Sequence, residues 1–414
     1  MTHSAFRLAQ PRRLAALAIA ALLTCSCNPA GNGNTADGNG VTATTASSGT
    51  DQTAWEQFAK VVTPSAIAGK VTFETWASDQ DIYVANPCAP GTQPSGGCNV
   101  PVWPTAVKLA ADKGLKGSVL GAAHLAKAKG TALKVAVVGP AQGCVTVSTT
   151  GPGGAAAGSN FPANGCVGEE TRRDRASFDY INTNNLWSKA GLSAFFATNK
   201  QVAFPTDALV VKADWIPVEQ LATWLGKDAA FVTANFYTAN AVLTPGGKPT
   251  AVAMTSLHVS VKTAAFPNWI WADFENAYTP GRCDQTGCTD GFGAQQPSVP
   301  AAAAAWGQYG ACAKTSAAQA LLTGAKAPAV FANYCLTGTQ TDYGTTAKPI
   351  LLGSPIIEPL NADVPMNQSS CISCHVGASF TATGPNFPSG PIGPSSVPKG
   401  SRGYDFMWGL LGAQ

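Results

Sequence analysis

Three residues late in the sequence combine types and spacing that suit haem chemistry: Cys371, Cys374 and His375. They form C-x-x-C-H, the attachment sequence of c-type haem. Cysteines three residues apart lie on one side of a helical turn, so each thiol can add to one vinyl group of the porphyrin. The next residue, His375, can direct its imidazole at the iron as proximal ligand. The motif predicts one covalent haem c. The alternatives are a thiol–disulfide redox pair and half of a zinc site.

The sixth iron ligand has two candidates, His258 and, as the alternative, Met407 in the segment YDFMWGLL. Residues 250–262 alternate as a strand does, which predicts that Met254, His258 and Lys262 share one face. There, beside a tryptophan-rich stretch, His258 could reach the iron and Lys262 could pair with a haem propionate. A hydrogen-bonded structural histidine and a five-coordinate iron remain open. No catalytic residue is predicted.

The charge distribution separates the first residues from the rest of the chain. The net charge of +3 is equal to the contribution of Arg7, Arg12 and Arg13. Without them the basic and acidic residues balance, so there is no electrostatic footprint for nucleic acid. A partner made of nucleic acid is therefore not expected.

The N-terminal segment has the pattern of a secretory signal. Its basic residues precede an apolar run from Leu14 to Thr24, which is too short to span a bilayer. We expect residues 1–27 to be a signal segment and the protein to be periplasmic or on the outer surface. Cys25 or Cys27, directly after the apolar run, is a candidate lipid anchor. Residues 28–50 are rich in Gly, Asn, Thr and Ser, which predicts a disordered tether.

Eight of the 12 cysteines lie outside the signal segment and the C-x-x-C-H motif. An even number in an exported chain indicates disulfides, although eight cysteines allow about 105 pairings. We expect nearest neighbours to pair because each pair brackets one short loop or helix. The expected pairs are Cys88–Cys98, Cys144–Cys166, Cys283–Cys288 and Cys312–Cys335.

From about residue 170 onward the chain resembles a group of bacterial proteins labelled only as cytochrome c family proteins. The matching stretches are DRASFDYINTNNLW (174–187), FPTDALVVKADWIPV (204–218), LHVSVKTAAFPNWIWADFEN (257–276), SSCISCH (369–375) and YDFMWGLL (404–411). The resemblance implies a haem c protein of the periplasm or outer surface and little about a substrate.

Mixed patterns without regular βαβ spacing predict an α+β fold that is rich in loops and stapled by disulfides. Helices are expected at 51–62, 106–129, 173–187, 190–199, 217–226 and 301–323, and strands at 70–76, 133–138, 145–149, 208–215, 231–237 and 250–262. Residues 51–414 would form one large region with the haem attachment segment at about 360–414 and the haem packed there. This is not the small class I cytochrome c fold alone, because only a short segment rich in Gly and Pro follows His375.

The motif is consistent with three functions. Electron transfer to a redox partner protein needs nothing beyond the haem itself and is our expectation. A haem-dependent redox enzyme acting on a small molecule or peroxide is the first alternative, motivated by the size of the chain. A haem-based sensor or binding module is the second.

Overall fold

The computed structural model describes residues 48–83, 145–146, 166–242, 249–284, 286–294, 307–341, 344–345, 348–349, 351–356, 369–386 and 397–413. The predicted signal segment, most of the tether, the helix at 106–129 and the strand at 133–138 lie outside these residues. So do the side chains of the expected pairs Cys88–Cys98 and Cys144–Cys166. Within the described ranges, no helix is long and apolar enough to cross a membrane.

Eight α-helices occur in the described residues, most of them shorter than 10 residues. They are α1 (Ser48–Val61), α2 (Asp79–Ile82), α3 (Arg175–Thr183), α4 (Lys189–Ala197), α5 (Val218–Leu225), α6 (Ala229–Asn235), α7 (Ser316–Gly324) and α8 (Cys371–His375). Short 3₁₀ helices span Thr72–Thr75, Ala329–Asn333 and Trp408–Gly412.

An antiparallel sheet of eight strands forms the centre of the fold. Its strands are β1 (Ala77–Ser78), β2 (Val145–Thr146), β3 (Cys166–Arg173), β4 (Leu209–Pro217), β5 (Thr238–Val242), β6 (Pro249–Val261), β7 (Ile270–Asn276) and β8 (Tyr334–Gln340). The strand order is β1-β3-β4-β6-β7-β8, with β2 paired to β3 and β5 paired to β6.

Two smaller antiparallel sheets follow along the chain. The pair β9 (Gly344–Thr345) and β10 (Lys348–Pro349) forms one of them. The other contains β11 (Ser379–Thr381), β12 (Gly384–Asn386) and β13 (Arg402–Gly403), with β11 in the centre. Mixed helices and antiparallel sheets agree with the predicted fold class.

One face of the central sheet is apolar and packs against α1. Val211, Val259 and Ala272 are neighbours across β4, β6 and β7 on this face, and all are buried. From α1, Phe58 stacks on Phe274 with ring centroids 4.2 Å apart. This face holds the larger hydrophobic core.

The opposite face of the same strands carries polar and aromatic side chains. Lys212, His258 and Asp273 form one row across β4, β6 and β7, and Ser260 and Trp271 are neighbours in the next row. His258, Asp273 and Trp271 on this face are buried, whereas Lys212 is partly exposed. The ring of Trp271 packs against that of His375 on α8.

The predicted position of Met254 beside His258 is wrong. The pairing of β4 with β6 shifts register between Asp214 and Trp215, and Thr255 is the additional residue on β6. A β-bulge reverses the facing of the residues beyond it. Met254 therefore lies in the core on the α1 side, with Trp215.

Three predicted elements are also wrong, and local hydrogen bonds give the reason. Residues 70–76 contain a 3₁₀ helix, because the Glu74 carboxylate accepts the Val71 N–H at 2.9 Å. Residues 231–237 are mostly helix, because Asp228 caps α6 by accepting the Phe231 N–H at 2.7 Å. The helix predicted from 301 starts at 316 in the described part of that range, where Thr315 caps α7.

Two of the expected disulfides are confirmed: Cys283–Cys288 and Cys312–Cys335. The first closes a short loop after β7. The second ties the segment before α7 to β8, the strand at one edge of the central sheet. The molecule is therefore stapled by disulfides, as predicted.

Candidate functional site

The C-x-x-C-H motif forms the short helix α8, which is held against the end of β8 by one side chain. Gln340 accepts the Ile372 N–H at 2.9 Å and donates to the Ser370 hydroxyl at 3.0 Å. The N–H groups of a first helical turn have no acceptor within the helix, so a side chain must supply one. Ser370 itself makes no capping bond. Gln340 therefore caps α8 from the sheet.

The two cysteines of the motif lie one helical turn apart. Cys371 is buried and donates to the Leu352 carbonyl, with sulfur and oxygen 3.4 Å apart. Cys374 is bonded in a disulfide. The carbonyl of Cys374 accepts from the Trp408 indole at 3.2 Å. A thioether at Cys374 requires the reduced thiol, so haem attachment and this disulfide exclude each other.

The imidazole of His375 is held by a hydrogen bond and a ring contact. Its Nδ1 lies 2.7 Å from the Phe406 carbonyl oxygen, and its ring centroid lies 4.4 Å from that of Trp271. A carbonyl oxygen can only accept, so Nδ1 carries the proton and Nε2 keeps its lone pair. That tautomer is the one in which Nε2 can bind a metal.

Burial lowers the pKa of His375 to about 3, while the bond to Phe406 opposes the shift and the charges of Lys212 and His258 add to it. The imidazole is therefore neutral at physiological pH, the form that binds iron.

The turn that presents the Phe406 carbonyl follows β13. Tyr404 donates its N–H to the Ala378 carbonyl at 2.8 Å, and its ring stacks on Phe380 with centroids 4.8 Å apart. Met407 closes the turn by donating to the Tyr404 carbonyl at 3.2 Å. The C-terminal segment thus folds back onto the motif.

His258 lies between two buried carboxylates on the face of the sheet that carries Trp271. Its Nε2 is 3.3 Å from Asp214 Oδ2 and 3.7 Å from Asp273 Oδ1. Burial raises the pKa of Asp214 to about 6, and burial together with the charge of Asp273 raises the pKa of Glu275 well above its ordinary value. The row with His258 adjoins the row with Trp271, whose ring contacts His375. The tertiary structure thus brings His258 and His375 to the same region.

Met407 is buried in the cluster that also contains Ile372 and Trp271. It directly follows Phe406, on the Nδ1 side of His375. Lys262 bonds to the Asp405 carboxylate at 2.5 Å. Lys262 thus has Asp405 as an ion-pair partner, and its pairing with a haem propionate stays a prediction.

Haem c fits the residues present at three points: Cys371 and Cys374 lie one turn apart, Nε2 of His375 keeps a lone pair, and Trp271 supplies an apolar wall. Attachment at Cys374 would require reduction of its disulfide first. In the part of the chain that the structure describes, no group of three or more His, Cys, Asp or Glu side chains has the geometry of a metal site. The sequence did not point to Gln340 or the Phe406 carbonyl, because neither residue type is diagnostic of such a role.

Comparison of the chain with protein-family models, curated proteins and solved structures finds no match. The resemblance to cytochrome c family proteins therefore stays a prediction from the C-x-x-C-H motif and the quoted stretches.

Proposed function

We propose that the chain is an exported monohaem c-type cytochrome that transfers electrons to a redox partner protein. Cys371 and Cys374 would bind the porphyrin, and His375 would bind the iron. The observation that carries the proposal is the 2.7 Å contact between Nδ1 of His375 and the Phe406 carbonyl. It leaves Nε2 as the nitrogen that would bind iron. In metal sites generally, a hydrogen-bond acceptor at one ring nitrogen orients the histidine so that the other nitrogen binds the metal.

When bound, haem c supplies a one-electron couple of Fe(III) and Fe(II). The chain's own residues orient and shield the proximal ligand. Trp271 packs against the imidazole of His375, and Gln340 holds the start of α8 on the sheet. Phe406 and Trp408 are partly exposed beside the motif. They offer an apolar rim through which a partner protein could approach.

The sixth ligand remains a proposal, with His258 favoured over Met407. His258 lies in the row that adjoins Trp271, whose ring contacts His375, whereas Met407 directly follows the residue whose carbonyl bonds Nδ1 of His375. Because Nε2 of His258 lies against carboxylates, His258 would bind through Nδ1 or after its side chain turns. The absorption spectra of His258→Ala and Met407→Ala separate the two candidates, since loss of the sixth ligand changes the spin state.

The decisive experiment is expression in a host that matures c-type haem, followed by intact mass and visible spectra. We expect the mass of the processed chain plus one haem, and a reduced spectrum of the c type. Cys371→Ala with Cys374→Ala should abolish covalent haem. The matched control, Cys283→Ala with Cys288→Ala, removes another close cysteine pair and should retain it. A colourless wild-type protein with the polypeptide mass alone refutes the proposal.

The disulfide at Cys374 favours a second candidate, in which the motif cysteines act in thiol–disulfide chemistry. Alkylation of the unreduced protein separates the two. Thioethers to haem leave neither Cys371 nor Cys374 reactive, even after reduction. A disulfide at Cys374 instead makes that residue reactive once a reductant is added.

Ligand binding separates electron transfer from haem-enzyme chemistry. A six-coordinate electron carrier should bind neither CO in the reduced form nor cyanide in the oxidised form. Rapid binding of either one indicates an open iron position and favours the enzyme or sensor alternative. Export and a lipid anchor at Cys25 or Cys27 are part of the same proposal. Metabolic labelling with a fatty acid, compared between Cys25→Ala and Cys27→Ala, tests the anchor.

A further inference from the structure

The turn that contacts His375 has an unfavourable backbone. Asp405 and Phe406 are consecutive residues with φ of 54° and 70°. Aspartate is among the residues that tolerate the left-handed region, but a bulky residue such as Phe406 rarely adopts it. Such a conformation persists only where surrounding contacts hold it, and it concentrates at functional positions.

Asp405 receives three hydrogen bonds that hold this turn. Its carboxylate accepts from Lys262 Nζ at 2.5 Å and from the Phe204 N–H at 2.7 Å. Its backbone carbonyl accepts from the Trp269 indole at 3.1 Å. Only 8% of the Asp405 side chain and 13% of the Lys262 side chain are exposed, so the ion pair is shielded from solvent.

The donors belong to the rigid frame of the central sheet. Lys262 directly follows β6, and it exchanges backbone hydrogen bonds with Ala208 and Asp207 at the start of β4. Trp269 directly precedes β7 and is completely buried, with its own φ at 71°. Lys262 and Trp269, which we call the clamp on Asp405, are therefore connected to β4, β6 and β7 together.

We propose that Asp405 is a positioning residue: held by Lys262 and Trp269, it keeps the Phe406 carbonyl against Nδ1 of His375 and so sets how strongly His375 donates to haem iron. The inference rests on the proposed function. A hydrogen bond at Nδ1 raises the basicity of the ligating imidazole. A more basic ligand stabilises Fe(III) relative to Fe(II), which lowers the reduction potential. Loss of the bonds that hold Asp405 should weaken the hydrogen bond at Nδ1 and therefore raise the reduction potential.

The test compares Asp405→Asn with the wild-type protein in the haem-loaded form. Asparagine keeps the size and the tolerance for positive φ, but it removes the charge that pairs with Lys262. We expect the Fe(II) form to gain by up to about tenfold, a rise of about 59 mV for one electron. The frequency of the iron–histidine stretch should fall. Lys262→Met removes the same ion pair from the other side and should give the same two changes.

Asp179→Asn is the matched control, because it breaks the 2.6 Å ion pair with Arg175 on α3 by the same substitution. It should change neither the potential nor the stretch. The inference is overturned if Asp405→Asn folds and keeps the wild-type potential and stretch, if the control shifts them equally, or if both clamp variants fail to fold.

A measurement on the haem-free chain keeps this inference separate from the proposed function. Proton and ¹⁵N spectra of the His375 ring report the Nδ1 proton directly. We expect a strongly hydrogen-bonded Nδ1 proton in the wild type and a weaker bond in Asp405→Asn. If the wild-type protein never takes up haem, the proposed electron-transfer function is refuted, and the Nδ1 signal of the haem-free chain still decides the positioning role of Asp405. An unchanged Nδ1 signal in a haem-competent protein refutes the positioning role alone.

Discussion

Replacement of Gln340 by leucine should detach the start of α8 from the central sheet. Gln340 is 2% exposed at the end of β8, and its amide reaches both Ile372 and Ser370. Leucine has a similar volume and creates no large cavity. The substitution therefore removes the hydrogen bonds of the Gln340 amide, including the two to Ile372 and Ser370, at nearly constant volume.

The expected cost follows from the burial of the groups that lose their partner. Ile372 is completely buried and Ser370 is 7% exposed, so water cannot readily replace Gln340. A net hydrogen bond contributes about 1 kcal/mol and a buried polar group left unpaired costs about 1–3 kcal/mol, so we expect a loss of roughly 2–4 kcal/mol. Local fraying of α8 should accompany it, because the helix loses the cap of its first turn.

Urea unfolding followed by tryptophan fluorescence measures the change in the free energy of unfolding, and covalent haem content measures the effect on the motif. Gln52→Leu is the control, because Gln52 is exposed on α1, where its side chain donates to the Glu56 carboxylate at 2.9 Å. It should change stability by less than about 0.5 kcal/mol. A Gln340→Leu protein that is as stable as this control, with full haem content, would refute the role of Gln340.

Two further predictions concern the side of the central sheet that packs against α1. Replacement of both cysteines of Cys312–Cys335 by alanine should cost about 3.4 kcal/mol in the chain-entropy model, against about 2.2 kcal/mol for Cys283–Cys288, because the loop is longer. Equal midpoints in urea for the two double variants would contradict that order. Burial and then the charge of Arg282 lower the pKa of Lys314 from 10.5 to about 8, so the unfolded chain holds this proton to a higher pH than the folded one. The free energy of unfolding of the wild type, minus that of Lys314→Met, should therefore rise by roughly 1–3 kcal/mol between about pH 8 and pH 10.5. This is less than the full pKa shift implies, because Lys314 is partly exposed. A pH-independent difference in unfolding free energy would contradict it.

Much of the local structure was predictable because its causes lie within a few residues. The helices α3 and α5 fall within the predicted ranges, α4 begins one residue before its predicted range, and β6 is displaced by one residue at each end. Both described disulfides join nearest neighbours, since short loops keep the sulfurs close in any fold.

Other strands were missed because their burial depends on partners far along the chain. The composition of the charged strand β3 is typical of a surface segment. Glu170 is nevertheless buried, and its Oε1 lies 2.5 Å from Nη2 of Arg172. The strand β7 has no alternation of apolar and polar residues, because both of its faces are covered. The bulge at Thr255 cannot be read from β6 alone, since it exists only in the pairing with β4.

The sequence by itself determined the candidate chemistry, because two cysteines and a histidine at this spacing lie on one turn wherever the segment is helical. The tertiary structure alone decided what surrounds that chemistry. Gln340, Trp271 and the Phe406 carbonyl reach α8 from 31 to 104 positions away along the chain. Hydrogen bonds and ring contacts of that range exist only when the sheet and the C-terminal turn are assembled, so no local pattern encodes them.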